Sequence, residues 1–476
     1  MRARSWGGVF LGVLAAGCAL QPDRPAPQLI IPSASSPHGW REANPSDQAV
    51  RGNWWLDFGD PVLSDLMMRV DAANPDLEAA LANRDRALAA LREAGADRLP
   101  TVSAGAQGSR ERLSAGRPIG PGQPVTASQY LLGGSLSYEI DLWGRVRNTV
   151  AASRADAQAA EVNVEAVRLS LRASLADAYF RLRGFDAQTR LLTRTVGAYE
   201  RAAKLIGDRY EVGIASGVDR TRAATQLADA RARLEAIGGQ RARLEHGISV
   251  LVGQVPSTFR LDPVEQTIRL PQVSAGLPSM LLERRPDIAR AERQLAAANA
   301  RIGAAKAALY PDLTLGLSGG FQATGAPILG ASNSYWALGP LGVVASLFDG
   351  GRRRARVDIT EAEYRRLAAD YRSTVLDAFR EVEDALAQSA SLARQGEQQA
   401  QAAASASRTE ALALERYRDG AADFLDVVTA QTAALNAQQA SIDTTVNQQR
   451  EAVALIRAVG GGYTLAQHGA QTRGSD

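Results

Sequence analysis

Gln129-Tyr130-Leu131-Leu132-Gly133-Gly134-Ser135-Leu136-Ser137-Tyr138-Glu139-Ile140-Asp141 alternates along its length. Tyr130, Leu132, Gly134, Leu136, Tyr138 and Ile140 fall on one face. Gln129, Gly133, Ser135, Ser137, Glu139 and Asp141 fall on the other, with Leu131 the exception. A period of two marks an extended strand with one apolar face. Alternation also describes a half-buried sheet in water, so it does not by itself place the strand in lipid. Three features favour lipid. The segment has about the length of a membrane strand. Tyrosines stand near both ends of its apolar face, as in interfacial girdles. The connections expected around residues 112–127 and 323–333 are long and rich in Gly and Pro.

Three further segments behave alike. Val102, Ala104 and Ala106 oppose Thr101, Ser103, Gln107 and Ser109, and Leu313, Leu315, Leu317 and Phe321 oppose Thr314, Ser318 and Gln322. The fourth, Tyr335 to Phe348, is more apolar, carries Pro340 inside it, and leaves its facing open. Four strands have two open edges, which lipid does not tolerate. A lumen needs at least about eight strands. If these are membrane strands, several copies must complete one barrel: two supply eight strands and three supply twelve.

The strands sit inside a duplication. Asn74-Pro75-Asp76-Leu77 recurs as Arg285-Pro286-Asp287-Ile288, and Asp141-Leu142-Trp143-Gly144-Arg145 as Phe348-Asp349-Gly350-Gly351-Arg352. Arg209-Tyr210-Glu211-Val212-Gly213 recurs as Arg416-Tyr417-Arg418-Asp419-Gly420, Asp219 matches Asp426, and Gly253 matches Gly460. One nearly constant shift through separated motifs indicates duplication. Each half reads as helix, strand pair, long helix, tight glycine turn, helix. The first helix is expected from Pro75 to Arg98, with proline in its first turn, and Leu99-Pro100 and Tyr310-Pro311 end the first helix of each half. Arg147 to Gly213 and Arg353 to Asp419 contain no proline. Val164, Val167, Leu171, Leu175, Ala178 and Leu182 recur at helical steps. Such a helix is on the order of 100 Å long, more than a globular core can cover. It must lie along other helices in a rod or tube.

The start of the chain reads separately. Arg2 and Arg4 precede an apolar run, Val9 to Ala16, too short to span a bilayer, and Leu14-Ala15-Ala16-Gly17-Cys18 follows. This resembles a bacterial lipoprotein signal cleaved before Cys18, whose thiol and new amino end would carry lipid. An ordinary secretory signal followed by a chance cysteine is the alternative. Ala19 and Leu20 follow, with no adjoining aspartate, which by that resemblance favours the outer membrane. The expected divisions are a signal peptide at 1–17, a lipid-anchored Pro-rich linker at 18–55, a first repeat at 56–264, a second at 265–465 and a disordered tail at 466–476.

Composition excludes much else. The formal charge is +3 over 476 residues, and no arginine stripe interleaves with aromatics, so nothing marks nucleic acid as a partner. One cysteine and three histidines (His38, His246 and His468) make no metal set. No later apolar run is long enough for a transmembrane helix. Gly316-Leu317-Ser318-Gly319-Gly320 has the spacing of a hydrolase elbow, but Ser318 falls on the polar face of a strand rather than on a strand-to-helix turn. Arg352, Arg353, Arg354 and Arg356 read first as a solvated face and second as a contact for inner-leaflet phosphates. Arg284-Arg285 reads as a helix start.

The pattern Trp54-Trp55, Phe58, Asp60, Leu63, Leu66, with Asn74-Pro75-Asp76-Leu77, Asp141-Leu142-Trp143-Gly144-Arg145 and the two Tyr-x-x-Gly turns, resembles the TolC-type outer-membrane factors. Cys18 makes the chain similar to their NodT/OprM-like lipoprotein branch. The resemblance covers essentially the whole mature chain. It implies a mainly α fold with membrane β: an internally duplicated, long-helix coiled-coil α-barrel plus four transmembrane strands per protomer, twelve in a homotrimer. It implies no enzyme and no cofactor beyond the lipid on Cys18. The expected partners are outer-membrane lipid, a periplasmic adaptor and an inner-membrane pump of the resistance–nodulation–division type. The channel would passively conduct drugs or small solutes to the medium. The resemblance also implies a periplasmic gate at the glycine turns, formed by Asp219, Tyr417, Asp423, Leu425 and Asp426. Thr429 stands where a second ring aspartate is usual, and Ala422 where some relatives place a tethering arginine. Asp219 and Asp423 could equally cap their helices. Two other functions compete: a type I protein-secretion duct of the same architecture, and a lipid-anchored periplasmic coiled-coil adaptor or structural protein.

Overall fold

The computed structural model describes residues 52–116, 124–264, 270–271, 284–325 and 327–461. The expected signal peptide, Cys18, most of the linker and the C-terminal tail lie outside the described residues. The described chain runs α1 (Pro61–Ala73), α2 (Pro75–Ala96), β1 (Thr101–Leu113), β2 (Val125–Glu139), α3 (Arg145–Glu211), α4 (Gly217–Leu251), α5 (Pro286–Ala307), β3 (Asp312–Ala323), β4 (Ser334–Val344), α6 (Arg352–Arg418) and α7 (Phe424–Ala458). It forms two compact units, each built from both halves of the sequence. One takes residues 83–161 and 290–372, and the other takes the rest.

The duplication is exact in the lengths of the helices. Helices α3 and α6 have 67 residues each, α4 and α7 have 35 each, and α2 and α5 have 22 each. The two long helices start and end within two residues of their expected bounds, because proline is absent within them and Gly213 and Gly420 end them. Both glycines take φ +78°, a left-handed conformation that favours a residue without Cβ. The same lock closes both ends: the Ile214 amide donates to the Arg209 carbonyl at 2.8 Å, and the Ala421 amide to that of Arg416 at 2.8 Å.

In the first unit the strands form one antiparallel sheet in the order β1-β2-β3-β4. Leu132 pairs with Ala106 on one side and Phe321 on the other, and Leu136 pairs with Val102 and Leu317. Paired residues share a face, so the apolar sides of the first three strands fall into one surface. The fourth strand, whose facing the sequence left open, is settled by its register. Trp336 pairs with Gly319 and Leu338 with Leu317; after an irregularity, Leu341 pairs with Leu315 and Val343 with Leu313. Gly339 at φ +115° and Pro340 form the irregularity. One extra residue there restores the phase, so Trp336, Leu338, Leu341 and Val343 all join the apolar face, each at least 62 % exposed. Strand β4 ends at Val344, so Leu347 and Phe348 lie beyond it. Strand β1 runs on to Leu113 and β2 starts at Val125, so the first connection is shorter than expected. Pairing extends further than hydrophobicity does, because backbone bonds do not depend on side chains. Within the described sheet, β1 and β4 each keep one unpaired edge.

The second unit holds the largest core. All six residues of the α3 stripe belong to it: Val164, Leu171, Leu175 and Leu182 are buried, and Val167 and Ala178 pack beside them. Trp54, Trp55 and Phe58 enter the same core from a 3-10 turn, with Leu63, Leu66, Met67 and Val70 of α1. The sequence motif around Trp54 therefore belongs to an additional helix ahead of the first one expected. Asp60 caps α1, accepting from the amides of Val62 at 2.8 Å and Leu63 at 3.1 Å, and its other oxygen accepts the Tyr179 hydroxyl at 2.6 Å. Burial, then the bond to Asp60, push the Tyr179 phenol above its ordinary range.

The helix starts that follow also correspond. Asn74 caps α2 by accepting from the amides of Asp76 and Leu77, and its own amide donates to the Leu251 carbonyl at the end of α4 at 2.8 Å. Arg285, at the matching place before α5, donates to the Ala458 carbonyl at the end of α7 at 2.9 Å. It also pairs with Asp287 at 2.6 Å and Glu381 at 2.8 Å. Arg285 is thus more than the helix start expected: it is buried and joins three elements.

Candidate channel gate

The gate expected from sequence is built on the two glycine turns, both within the second unit. In the first turn Ser216 is the N-cap of α4, accepting from the Asp219 amide at 3.1 Å. The Asp219 carboxylate in return accepts the Ser216 hydroxyl at 2.7 Å and pairs with Arg222 at 3.6 Å. Asp219 is therefore not itself the cap; from the third helical position its carboxylate takes the hydroxyl of the capping serine and orients it. In the second turn Asp423 is the cap of α7, accepting from the Asp426 amide at 3.0 Å. Asp423 is what the capping reading anticipated, and Asp426 occupies the place that Asp219 holds in the first repeat.

The second turn sorts its side chains by burial. Tyr417 is 9 % exposed and meets the Phe424 ring at 5.5 Å. With Ile206, Ala223 and Val427 they form one apolar cluster that joins α3 and α4 to α6 and α7. Leu425 and Asp426, one and two residues past Phe424, are exposed instead. Helical geometry explains this: Phe424 and Val427, three apart, share the inner face and turn the intervening pair outward. Thr429 spends its hydroxyl on the Leu425 carbonyl at 2.8 Å. Asp219 takes its bonds from Ser216 and Arg222 rather than from Tyr417. Sequence reasoning did not single out two residues of these turns, Ser216 and Arg209. The guanidinium of Arg209 lies 5.0 Å from the centre of the Tyr417 ring. Matching Ser216 against Asp423 through the repeat could have found the cap, but nothing local marks Arg209.

Of the remaining motifs, Ser318 lies mid-strand in β3, paired with Ser135 and Ala337, and takes no elbow geometry. Arg353 is held at the start of α6 by Asp349 at 3.0 Å and by the Ala308 and Ser346 carbonyls. Arg352, Arg354 and Arg356 are exposed.

The family described as "Outer membrane efflux protein" matches this chain twice, over residues 66–254 and 277–461. The chain belongs to the outer membrane efflux protein family. It is 32 % identical over 452 residues to the antibiotic efflux pump outer membrane protein ArpC of Pseudomonas putida, covering 94 % of this chain and 93 % of that one. It is 34 % identical over 451 residues to the outer membrane protein OprJ of Pseudomonas aeruginosa, covering 92 % of each. In structure it is similar to the outer membrane protein VceC of Vibrio cholerae, with 28 % identity and a TM-score of 0.81 over 87 % of this chain and 99 % of that one. This efflux protein is a TolC-like outer-membrane channel component, as the sequence motifs implied. Its place is the outer membrane, and its role is an exit route in efflux. The reading as a periplasmic adaptor falls on this family match.

Proposed function

We propose that three copies of this efflux protein close a twelve-stranded barrel in the outer membrane, continued by a periplasmic helical tunnel, through which drugs or small solutes pass passively to the medium. One observation carries this reading: a sheet with two unpaired edges and one continuous, exposed apolar face. Lipid excludes open edges, and one copy supplies half the strands of the smallest barrel with a filled interior. The lipid on Cys18 anchors the protomer to the same membrane. The driving energy comes from an inner-membrane pump of the resistance–nodulation–division type, reached through a periplasmic adaptor. Val212, Ile214 and Val218, exposed around the first glycine turn, offer that adaptor an apolar surface.

The gate lies at the second turn. Leu425 and Asp426 of each copy approach the axis, with Tyr417 anchoring them from behind and Asp219 and Asp423 fixing the helix starts. A ring of carboxylates favours cations in a narrow passage. Replacing Asp426 or Tyr417 with alanine raises single-channel conductance in planar bilayers, and Asp426→Ala also lowers cation selectivity. Wild-type conductance in both variants contradicts the gate.

A further inference from the structure

The motif Arg-Tyr-x-x-Gly occurs once in each repeat, on turns of matching backbone. Its side chains are nevertheless employed differently. In the second repeat Arg416 folds back and donates to the Ala421 carbonyl of its own turn at 3.2 Å. In the first repeat Arg209 leaves its own turn. Its two terminal nitrogens reach the carbonyls of Tyr417 at 3.5 Å and Arg418 at 3.3 Å, at the end of α6, while its guanidinium covers the Tyr417 ring. The tyrosines diverge with them. Tyr210 is 40 % exposed, with Arg220 at 5.1 Å from its ring; Tyr417 is buried.

We propose that Arg209 is the latch of the gate: a positioning residue that holds the α6–α7 turn, and with it Leu425 and Asp426, against the first-repeat coil. The proposal rests on the gate reading above. A helix C-terminus leaves carbonyls without partners and carries the negative end of the helix dipole. A guanidinium reaching it from another helix gives the Arg418 carbonyl a donor and the Tyr417 carbonyl, which accepts from the Gly420 amide at 3.1 Å, a second one, and its flat face adds the attraction of a cation to an aromatic ring. The tie runs one way only. The first-repeat turn receives no such arginine from α6, because Arg416 is spent locally. The second-repeat turn, which bears the expected constriction, is the one held from outside.

The test uses the full-length protein in planar bilayers, with Arg209→Met, Arg209→Lys, Arg416→Met and Asp426→Ala beside the wild type. Arg209→Met raises mean conductance several-fold, as Asp426→Ala does. Arg209→Lys, which keeps the charge but loses the fork, falls between Arg209→Met and wild type. Arg416→Met, which removes the same side chain from a bond within one turn, stays at the wild-type value. Wild-type conductance in Arg209→Met beside a raised conductance in Asp426→Ala overturns the latch and leaves the gate standing. An equal rise in Arg209→Met and Arg416→Met also overturns it, since loss of turn stability then explains both. Wild-type conductance in every variant overturns latch and gate together.

Discussion

Replacing Arg285 with alanine lowers stability by about 2–4 kcal/mol, somewhat less than the roughly 3–5 kcal/mol for breaking a fully buried ion pair. Arg285 itself is 6 % exposed, and every nitrogen of its fork has a partner: Nε and Nη2 bond Asp287, and Nη1 bonds Glu381 and the Ala458 carbonyl. Alanine leaves two carboxylates facing each other and a helix-end carbonyl without a donor. The carboxylates are each 31 % exposed, so water recovers part of the loss. The matching change in the first repeat, Asn74→Ala, removes a cap and one neutral bond and costs less, about 1–2 kcal/mol. The thermal midpoint in detergent, followed by circular dichroism, ranks the two. A smaller shift in Arg285→Ala than in Asn74→Ala contradicts the role given to the triad. Acid weakens the same triad in the wild type. Burial raises the Asp287 carboxyl, but its bonds to Arg285 outweigh burial and hold it below the ordinary range. The stability this adds is present above the ordinary carboxylate pKa and lost as pH falls through the lowered folded value.

Asp60→Ala has an effect of similar size, about 2–4 kcal/mol, from two separate losses: the cap of α1 and the acceptor of a buried hydroxyl. Asp60 is 3 % exposed and Tyr179 1 %, so no water replaces the carboxylate at the phenol. The damage lands where Trp54, Trp55 and Phe58 meet α3, so it loosens the start of the described chain from its core. Asp60→Asn keeps one acceptor oxygen, enough for the cap, but turns an amide donor toward the Tyr179 hydroxyl, so it recovers the cap's share of the loss; a midpoint for Asp60→Asn as low as that of Asp60→Ala rejects this account. The phenol adds an alkaline limit. A folded-state value raised above the unfolded one means that this contribution is intact below the ordinary tyrosine range. It declines as pH rises from there toward the folded value. Tyr179→Phe removes that decline.

The sequence was readable wherever local chemistry decides the structure. Proline-free runs ended by glycine set α3 and α6, and alternation with period two set the facing of the first three strands. It was unreadable where a partner far along the chain decides. The phase of β4 depends on a bulge that pairing with β3 exposes. Trp336 and Leu341 are an odd number of residues apart, so simple alternation assigns them to opposite faces. Helix α1 is short, and its capping aspartate, Asp60, is also the acceptor for a hydroxyl on α3 that no local pattern announces. Tyr417, Leu425 and Asp426 were singled out for the expected gate through the family's motif. Their division into a buried anchor and an exposed pair follows from helical spacing once α7 is known to start at Phe424. Arg209 shows the limit most clearly, since its sequence neighbourhood matches that of Arg416 and only tertiary contact separates them.

The most direct measurement is made on the Cys18→Ala protein, which can carry no lipid at that position, extracted from outer membranes. It is run unheated on a denaturing gel and then recorded in planar bilayers. If open strand edges force copies together, the band runs at three times the chain mass, needs detergent to stay in solution, and forms steady pores. A monomer that dissolves in plain buffer and conducts nothing contradicts the account at its root.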